Sequence, residues 1–298
     1  MAVEAADLGR RYGRIWALRG CTVSIPMGCV AALVGPNGAG KTTLLELATG
    51  LLEPSEGEVR VLDASMRGQP AKMLARVGFV AQDAPLYRSF SVADMLRFGA
   101  HMNPRWDDSL ARRRLERLDI PLERPCGTLS GGQQAQVALA LAVAKRPEIL
   151  FLDEPVARLD PLARREFLEA LMETVAESGV TVLLSSHLIS DLERVCDYLI
   201  VLSRGRVLID GATEPLLAEH HLISGAREHV DVALSDRRVI ELRATERQLT
   251  ALVRGNGTMR DPRVDLRDVS LEEMVLAYLR SPGSAHRALE VVGSGAGQ

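Results

Sequence analysis

Lysine is nearly missing from this 298-residue chain: Lys41, Lys72 and Lys145 are the only three, and arginine supplies the rest of the 36 basic residues. We read that bias as genomic base composition, and it makes a lysine inside a glycine-rich loop conspicuous. Long apolar runs are also missing. Runs such as Cys29–Val34 and Leu199–Leu202 are far short of the roughly 18 residues that cross a bilayer. The acidic start has no basic stretch followed by an apolar one, so no signal peptide is expected. Close cysteine pairs are absent too. Cys21, Cys29, Cys126 and Cys196 are scattered, which predicts free thiols in a reducing cytosol and no metal cluster. No basic block accompanies the net charge of −3, so a nucleic-acid surface is not expected.

The composition, 47% hydrophobic and 25% charged, is that of a globular protein. The length allows one large unit and a small one. No repeat is visible. Ala2–Leu8 and Leu18–Ile25 alternate loosely as strands around a Tyr12-Gly13 turn. Cys29–Val34 is a buried-strand run that ends at Gly35, with a helix opening near Gly40. Strand, glycine loop and helix in that order predict an open α/β sheet. Val59–Leu62 and Val77–Val80 add short strands. From about 91 to 145 the apolar spacing is helical, over Val92–Met102, Ser109–Leu118 and Gly132–Lys145. Strands return at Ile149–Leu152, Thr181–Ser185 and Tyr198–Leu202, with helices expected in the gaps, and Ser203-Arg204-Gly205 predicts a hairpin into Val207–Ile209. Beyond Gly211 we expect a small α+β appendage: strands at Val230–Leu234 and Val239–Arg243, helices at Glu246–Arg254 and Leu271–Leu279, and a turn at Asn256-Gly257. The Gly-, Ser- and Ala-rich end is expected to be disordered.

Gly35-Pro36-Asn37-Gly38-Ala39-Gly40-Lys41-Thr42 carries the strongest chemistry. Two glycines, a lysine and a hydroxyl at these spacings make a phosphate-binding loop. The glycines let backbone N–H groups turn inward, and the helix that follows aims its positive end at the phosphates. Lys41 would reach the β and γ phosphates and Thr42 would ligate Mg²⁺. Ile149-Leu150-Phe151-Leu152 then runs straight into Asp153 and Glu154. Alone these would be a solvated strand end, but downstream of a phosphate loop they suit two roles. Asp153 would hold Mg²⁺ through its water shell and Glu154 would act as general base, provided the two strands are neighbours. Leu129-Ser130-Gly131-Gly132-Gln133 precedes a long helix. By local chemistry Ser130 serves equally as a helix cap or as part of an anion site.

These three motifs in this order resemble the nucleotide-binding subunit of ABC transporters, over about residues 3–211. The resemblance implies an α/β P-loop NTPase core with an antiparallel β subdomain and an inserted α-helical subdomain at about 83–145. It divides the chain into a cassette over 1–211, a small α+β domain over 212–280, and a tail over 281–298. It implies that ATP and Mg²⁺ are the cofactors and that the phosphate-contacting run extends through Thr43. Tyr12 is similar to the aromatic that stacks on adenine, although a lone Tyr in a turn is more often a packing residue. Gln82 is similar to the glutamine that touches Mg²⁺ and water while relaying to the membrane subunit. His187, after Leu183-Leu184-Ser185-Ser186, is similar to the switch histidine on the γ-phosphate. In the family Ser130–Gln133 of one subunit would complete the ATP site of a second copy. Asp160 belongs to the same shared interface.

A separate multi-span permease would dock on the helical segment and the loop containing Pro85-Leu86-Tyr87. The subunit itself would be cytoplasmic, peripheral on the inner face of the membrane, with no insertion of its own. Asn103–Asp108, the segment through Leu118, and Val269–Met274 resemble stand-alone subunits of bacterial exporters. Two departures stand out. Ala157-Arg158 replace the usual Ser-Gly before Leu159-Asp160, and Gln134-Ala135-Gln136 replace basic residues. Among other classes, a non-transport ABC ATPase acting on ribosomes or DNA lacks its usual second cassette or coiled coil here. A GTPase lacks its Asn-Lys-x-Asp motif, and a P-loop kinase leaves Leu129–Gln133 and His187 unexplained.

Overall fold

The computed structural model describes residues 1–68, 71–234, 237–245, 248–255, 261 and 263–281. Strands β1 (Val3–Tyr12) and β2 (Ile15–Ile25) form an antiparallel hairpin. Then comes β3 (Val30–Val34), buried at every position, and helix α1 (Lys41–Ala48). β4 (Glu56–Val61) and β5 (Ala64–Ser65) return to the first sheet, giving the order β2-β1-β4-β5. A single turn of helix, α2 (Ala71–Leu74), leads into β6 (Val77–Val80).

Three helices follow. α3 (Val92–Met102) opens with a Ser91/Asp94 capping box, and Asp107 caps α4 (Asp108–Arg117). α5 (Gly131–Ala144) opens with a Ser130/Gln133 capping box. Reciprocal side-chain bonds to the free N–H groups fix these starts. Val92, Leu96, Ala111, Leu115, Val137 and Ala140 make a separate small core among the three. The other face of α5, through Ala135, Leu139 and Ala142, packs on the main sheet. One helix therefore belongs to both units.

β7 (Ile149–Asp153), α6 (Pro161–Ser178), β8 (Thr181–Ser186), β9 (Tyr198–Ser203) and β10 (Arg206–Ala212) complete the cassette. The central sheet runs β10-β9-β3-β8-β7-β6, parallel except for β10. Both faces are covered, so the inner strands are apolar over most of their length. Alternate residues serve opposite cores. Val30, Ala32, Leu150, Val182 and Val201 face α5 and α6, while Ala31, Leu33, Phe151, Leu183 and Ile200 face α1 and the first sheet.

The appendage comprises α7 (Thr213–Ala218), β11 (His220–Ala226), α8 (Arg227–Ala233), β12 (Arg238–Ala244), β13 (Gln248–Arg254), β14 (Val264–Asp268) and α9 (Leu271–Arg280). Its antiparallel sheet has the order β12-β13-β11-β14. α9 buries Leu271, Met274, Val275, Ala277 and Tyr278 in the same core as Leu192, Leu199 and Val201 of the cassette.

Four expectations need correction. The stretch expected as a strand at Val230–Leu234 lies largely in helix α8, with Val230 packed under the sheet. Of the helix expected over Glu246–Arg254, the described part Gln248–Arg254 is strand β13, whose Leu249, Ala251 and Val253 alternate inward between β11 and β12. Runs this short fit either period, and pairing partners decide between them. No helix fills the gap between β8 and β9; residues 187–197 form turns pinned by buried Ile189 and Leu192. Finally β7 does not adjoin β3, because β8 lies between them. Asn256-Gly257 and the tail beyond Ser281 lie outside the described residues.

Candidate functional site

The parallel strands β3, β7 and β8 all end at one edge of the sheet, where α/β folds gather their ligands. At the end of β3, a Cβ on Gly35 would stand 2.2 Å from the Leu202 carbonyl oxygen. Only glycine fits there. Gly40 has φ 107° and precedes α1 directly. The helix opens with no side-chain cap and no acid in its first turn, so its N–H groups and dipole are left to an anion. Pro36, Asn37 and Gly38 are exposed and Ala39 is buried. Thr42 is exposed on the first turn, with Thr43 half-buried beside it.

Lys41 is only 6% exposed. Its ammonium donates to the carbonyl oxygens of Gly35 (2.8 Å) and Pro36 (3.3 Å) and lies 3.0 Å from Glu154 Oε1. Glu154 is buried with φ 48°, and its other oxygen, Oε2, is 2.5 Å from His187 Nδ1. One carboxylate thus joins the lysine of the glycine loop to the histidine after β8. Lys41 and Glu154 are both buried, and removing either partner of such a pair costs about 3–5 kcal/mol; His187, 41% exposed, is held more weakly.

The intervening strand supplies a link that sequence reasoning missed. Ser185 Oγ donates to Asp153 Oδ1 (2.7 Å) and accepts the Glu154 backbone N–H (2.8 Å). The register that pairs Asp153 with Ser185 and Val34 with Ser186 makes this possible. Two hydroxyls, Ser185 and Ser186, at the end of a buried strand were the available signal. On α1, the Glu46 carboxyl is pushed up, by burial first and by the Asp153 charge second.

Other residues border this cluster. Gln82 is exposed on the turn after β6, one strand from Asp153. Tyr12 ends β1 and is 46% exposed, and the Arg10 guanidinium stands 5.0 Å from its ring centroid. Ser130 accepts the Gln133 N–H and Gln133 Oε1 accepts the Ser130 N–H. Ser130 and Gly131 are exposed, Gly132 and Gln133 half-buried. A Cβ on Gly132 would meet Ala163 of α6 at 3.0 Å. Asp160 caps α6 by accepting the N–H groups of Leu162 and Ala163. Two helix starts therefore sit side by side, outside the contacts that join Lys41, Asp153, Ser185, Glu154 and His187.

The departures have places too. Arg158 pairs with Asp83 at 2.8 Å, but both side chains are about 70% exposed, where such pairs contribute little. Gln134 Nε2 donates to the Leu129 carbonyl, and Gln136 is buried with its amide unpaired within the chain.

Among the described residues no group of three or more His, Cys, Asp or Glu side chains could hold a metal alone. Thr42 and Asp153 offer two oxygen donors beside a phosphate cradle. That sparse set fits Mg²⁺, which keeps several waters and shares its shell with substrate phosphates.

A groove of about 480 Å³ opens between the Gln82 turn and the helices. Leu51, Phe79, Pro85, Leu86 and Phe98 line it. Exposed Tyr87 and Met102 belong to the same turn and helix.

The family model described as "ABC transporter" matches residues 18–157. The chain is 34% identical over 224 residues to the Nod factor export ATP-binding protein I of Rhizobium johnstonii, covering 74% of this chain and 72% of that protein. It is 36% identical over 216 residues to the sulfate/thiosulfate import ATP-binding protein CysA of Brucella melitensis, covering 70% of this chain and 60% of that one. Among solved structures, a dimeric bacterial ABC transporter cassette superposes with a TM-score of 0.64 at 25% identity, over 70% of this chain and 98% of that one.

Proposed function

The chain belongs to the ABC transporter ATP-binding family and is an ATPase, and from that premise we propose that two copies clamp Mg-ATP between them and drive a separate permease, in the direction of export. The observation that carries this reading is the buried Lys41–Glu154 pair, with the partly exposed His187 on the other Glu154 oxygen, beside an uncapped α1.

In the proposed mechanism the exposed N–H groups of the glycine loop and α1 receive the phosphates. Lys41 leaves the Glu154 carboxylate for the β and γ phosphate oxygens, because a phosphate offers more negative charge than one carboxylate. Glu154, released on that side, orients and deprotonates the attacking water. His187 shifts from Glu154 Oε2 towards the γ-phosphate. Mg²⁺, when bound, neutralises charge on the phosphate oxygens. Thr42 and Asp153 would hold it, with Gln82 at its margin, and Ser185 fixes the Asp153 carboxylate. Tyr12 would stack on the adenine. Thr43 belongs with the phosphate-contacting run.

Ser130–Gln133 would serve the γ-phosphate of the other copy, and Asp160 the same interface. The exposure of Ser130, Gly131 and Asp160, their separation from the Lys41 cluster and the dimeric solved cassette support this. The γ-phosphate then touches both copies, and its loss on hydrolysis removes what favours the closed pair.

The apolar groove beside Gln82 suits a helix of the permease. Among the described residues no helix is long and apolar enough to cross a membrane, and we place the subunit on the inner face of the membrane. Export is supported by the Nod factor relative and by the 103–118 and 269–274 segments; the import relative shares the same core. Affinity purification from detergent-solubilised membranes tests this. Recovery of a protein with about six membrane spans is expected, and recovery of ribosomes without one would refute it.

A further inference from the structure

We infer that Arg164 is a positioning residue for hydrolysis, setting the His187 loop against the Glu154 loop. The inference rests on the roles given above to Glu154 and His187.

From Glu154 the chain reaches Asp160 through two tight turns, with Ala157 N–H donating to Glu154 O and Leu159 N–H to Val156 O, both at 3.1 Å. From His187 it continues through turns, with Leu192 N–H donating to Ile189 O at 3.0 Å. Neither loop has a helix or strand of its own, and the His187 side chain is 41% exposed. The contact between His187 and Glu154 therefore depends on how the two loops are held.

Arg164 sits on the first turns of α6, whose start is fixed by the Asp160 cap. From there Nη2 donates to the Leu159 carbonyl oxygen at 3.3 Å, and Nη1 lies 3.2 Å from Asp191 Oδ2. One guanidinium touches both loops. It does so with one hydrogen bond and one ion-pair contact, Asp191 Oδ2 having no hydrogen-bond partner among the described residues; a planar guanidinium can span the two, whereas a lysine offers one point charge. The side chains of Arg164 and Asp191 are 22% and 20% exposed. Arg158 and Asp83 also link two loops, but at 72% and 69% exposure water screens that pair. The shielded pair is the one able to hold geometry.

Arg164 touches neither the glycine loop nor α1 in any of these contacts, so its loss should slow turnover and spare nucleotide binding. The test uses the full chain as Arg164→Met, Asp191→Asn, their double variant, Arg164→Lys and His187→Ala. Turnover, direct titration with MgATP and thermal melting are measured on each. Arg164→Met and Asp191→Asn should each lower kcat about tenfold, the loss typical of a misplaced catalytic contact. Nucleotide affinity should stay unchanged, and Arg164→Lys should fall between. The double variant should be no slower than Arg164→Met alone, because coupled residues are not additive. Unchanged kcat in the near-isosteric Asp191→Asn overturns the inference, as do losses that multiply in the double variant. So does a fall in affinity and melting temperature that matches the fall in kcat. If His187→Ala keeps full turnover, the reading of His187 itself fails and this inference with it. If His187→Ala is inactive while Asp191→Asn is normal, the positioning role alone fails.

Discussion

Replacing Ser185 by Ala removes one oxygen from a fully buried position and breaks two bonds at once. The Asp153 carboxylate loses its 2.7 Å donor, and the Glu154 N–H loses its 2.8 Å acceptor. A hydrogen bond to a charged group contributes about 1.5–3 kcal/mol, and a buried N–H left unpaired costs about 1–3 kcal/mol. Allowing for partial relaxation, the loss is about 2–4 kcal/mol, equivalent to a drop of about 5–10 °C in melting temperature for a chain of this size. The same bonds hold Glu154 at its positive φ of 48°, a conformation that itself costs about 1 kcal/mol or more. Freed of them, both carboxylates shift, and displacements near 1 Å cost about a hundredfold in rate. Turnover should therefore fall about 10- to 100-fold while the glycine loop still binds nucleotide. Differential scanning calorimetry, steady-state ATPase assays and nucleotide titration measure the three effects. A Ser185→Ala protein with normal melting and normal turnover would refute the claim that this hydroxyl organises the site.

Two further outcomes follow from buried polar groups. Gln136 is 5% exposed with its amide unpaired inside the chain, so Gln136→Met, of similar volume, should stabilise the fold by about 1–2 kcal/mol; a lower melting temperature would contradict this. His220 lies fully buried between the Leu216 carbonyl and the Tyr278 hydroxyl, and burial holds its pKa below the ordinary value. The unfolded chain takes up this proton near pH 6.5, whereas the fold resists it, so the contribution is complete above about pH 6.5 and lost as pH falls below it. His220→Gln should flatten the decline in melting temperature between about pH 7 and pH 5, and an unchanged slope would count against the assignment.

The parts most legible in the sequence are those with local causes. Gly35 and Gly40 are glycines because a side chain would strike the Leu202 or Ala17 carbonyl, and that demand shows in the residue type itself. The Ser130/Gln133 and Ser270/Glu273 capping boxes are likewise written in adjacent residues. What depends on distant pairing was not legible. Nothing near Asp153 announces that β8 separates it from β3, so Ser185 could not be seen as the bridge. In the appendage, Gln248–Arg254 becomes a strand because β11 and β12 flank it. His220–Ala226, a mixed His, Gly and Ser stretch, shows no clear alternation yet runs between β13 and β14. Arg164 looks like any basic residue on an exposed helix until Asp191 is found beside it.

A nucleotide site shared between two chains should be visible in sedimentation velocity of a Glu154→Gln variant in MgATP. With the general base gone and the cradle intact, ATP should hold two chains together, ADP should not, and adding Ser130→Phe should return the protein to monomers. A Glu154→Gln protein that stays monomeric in saturating ATP, or a dimer indifferent to Ser130→Phe, would contradict it.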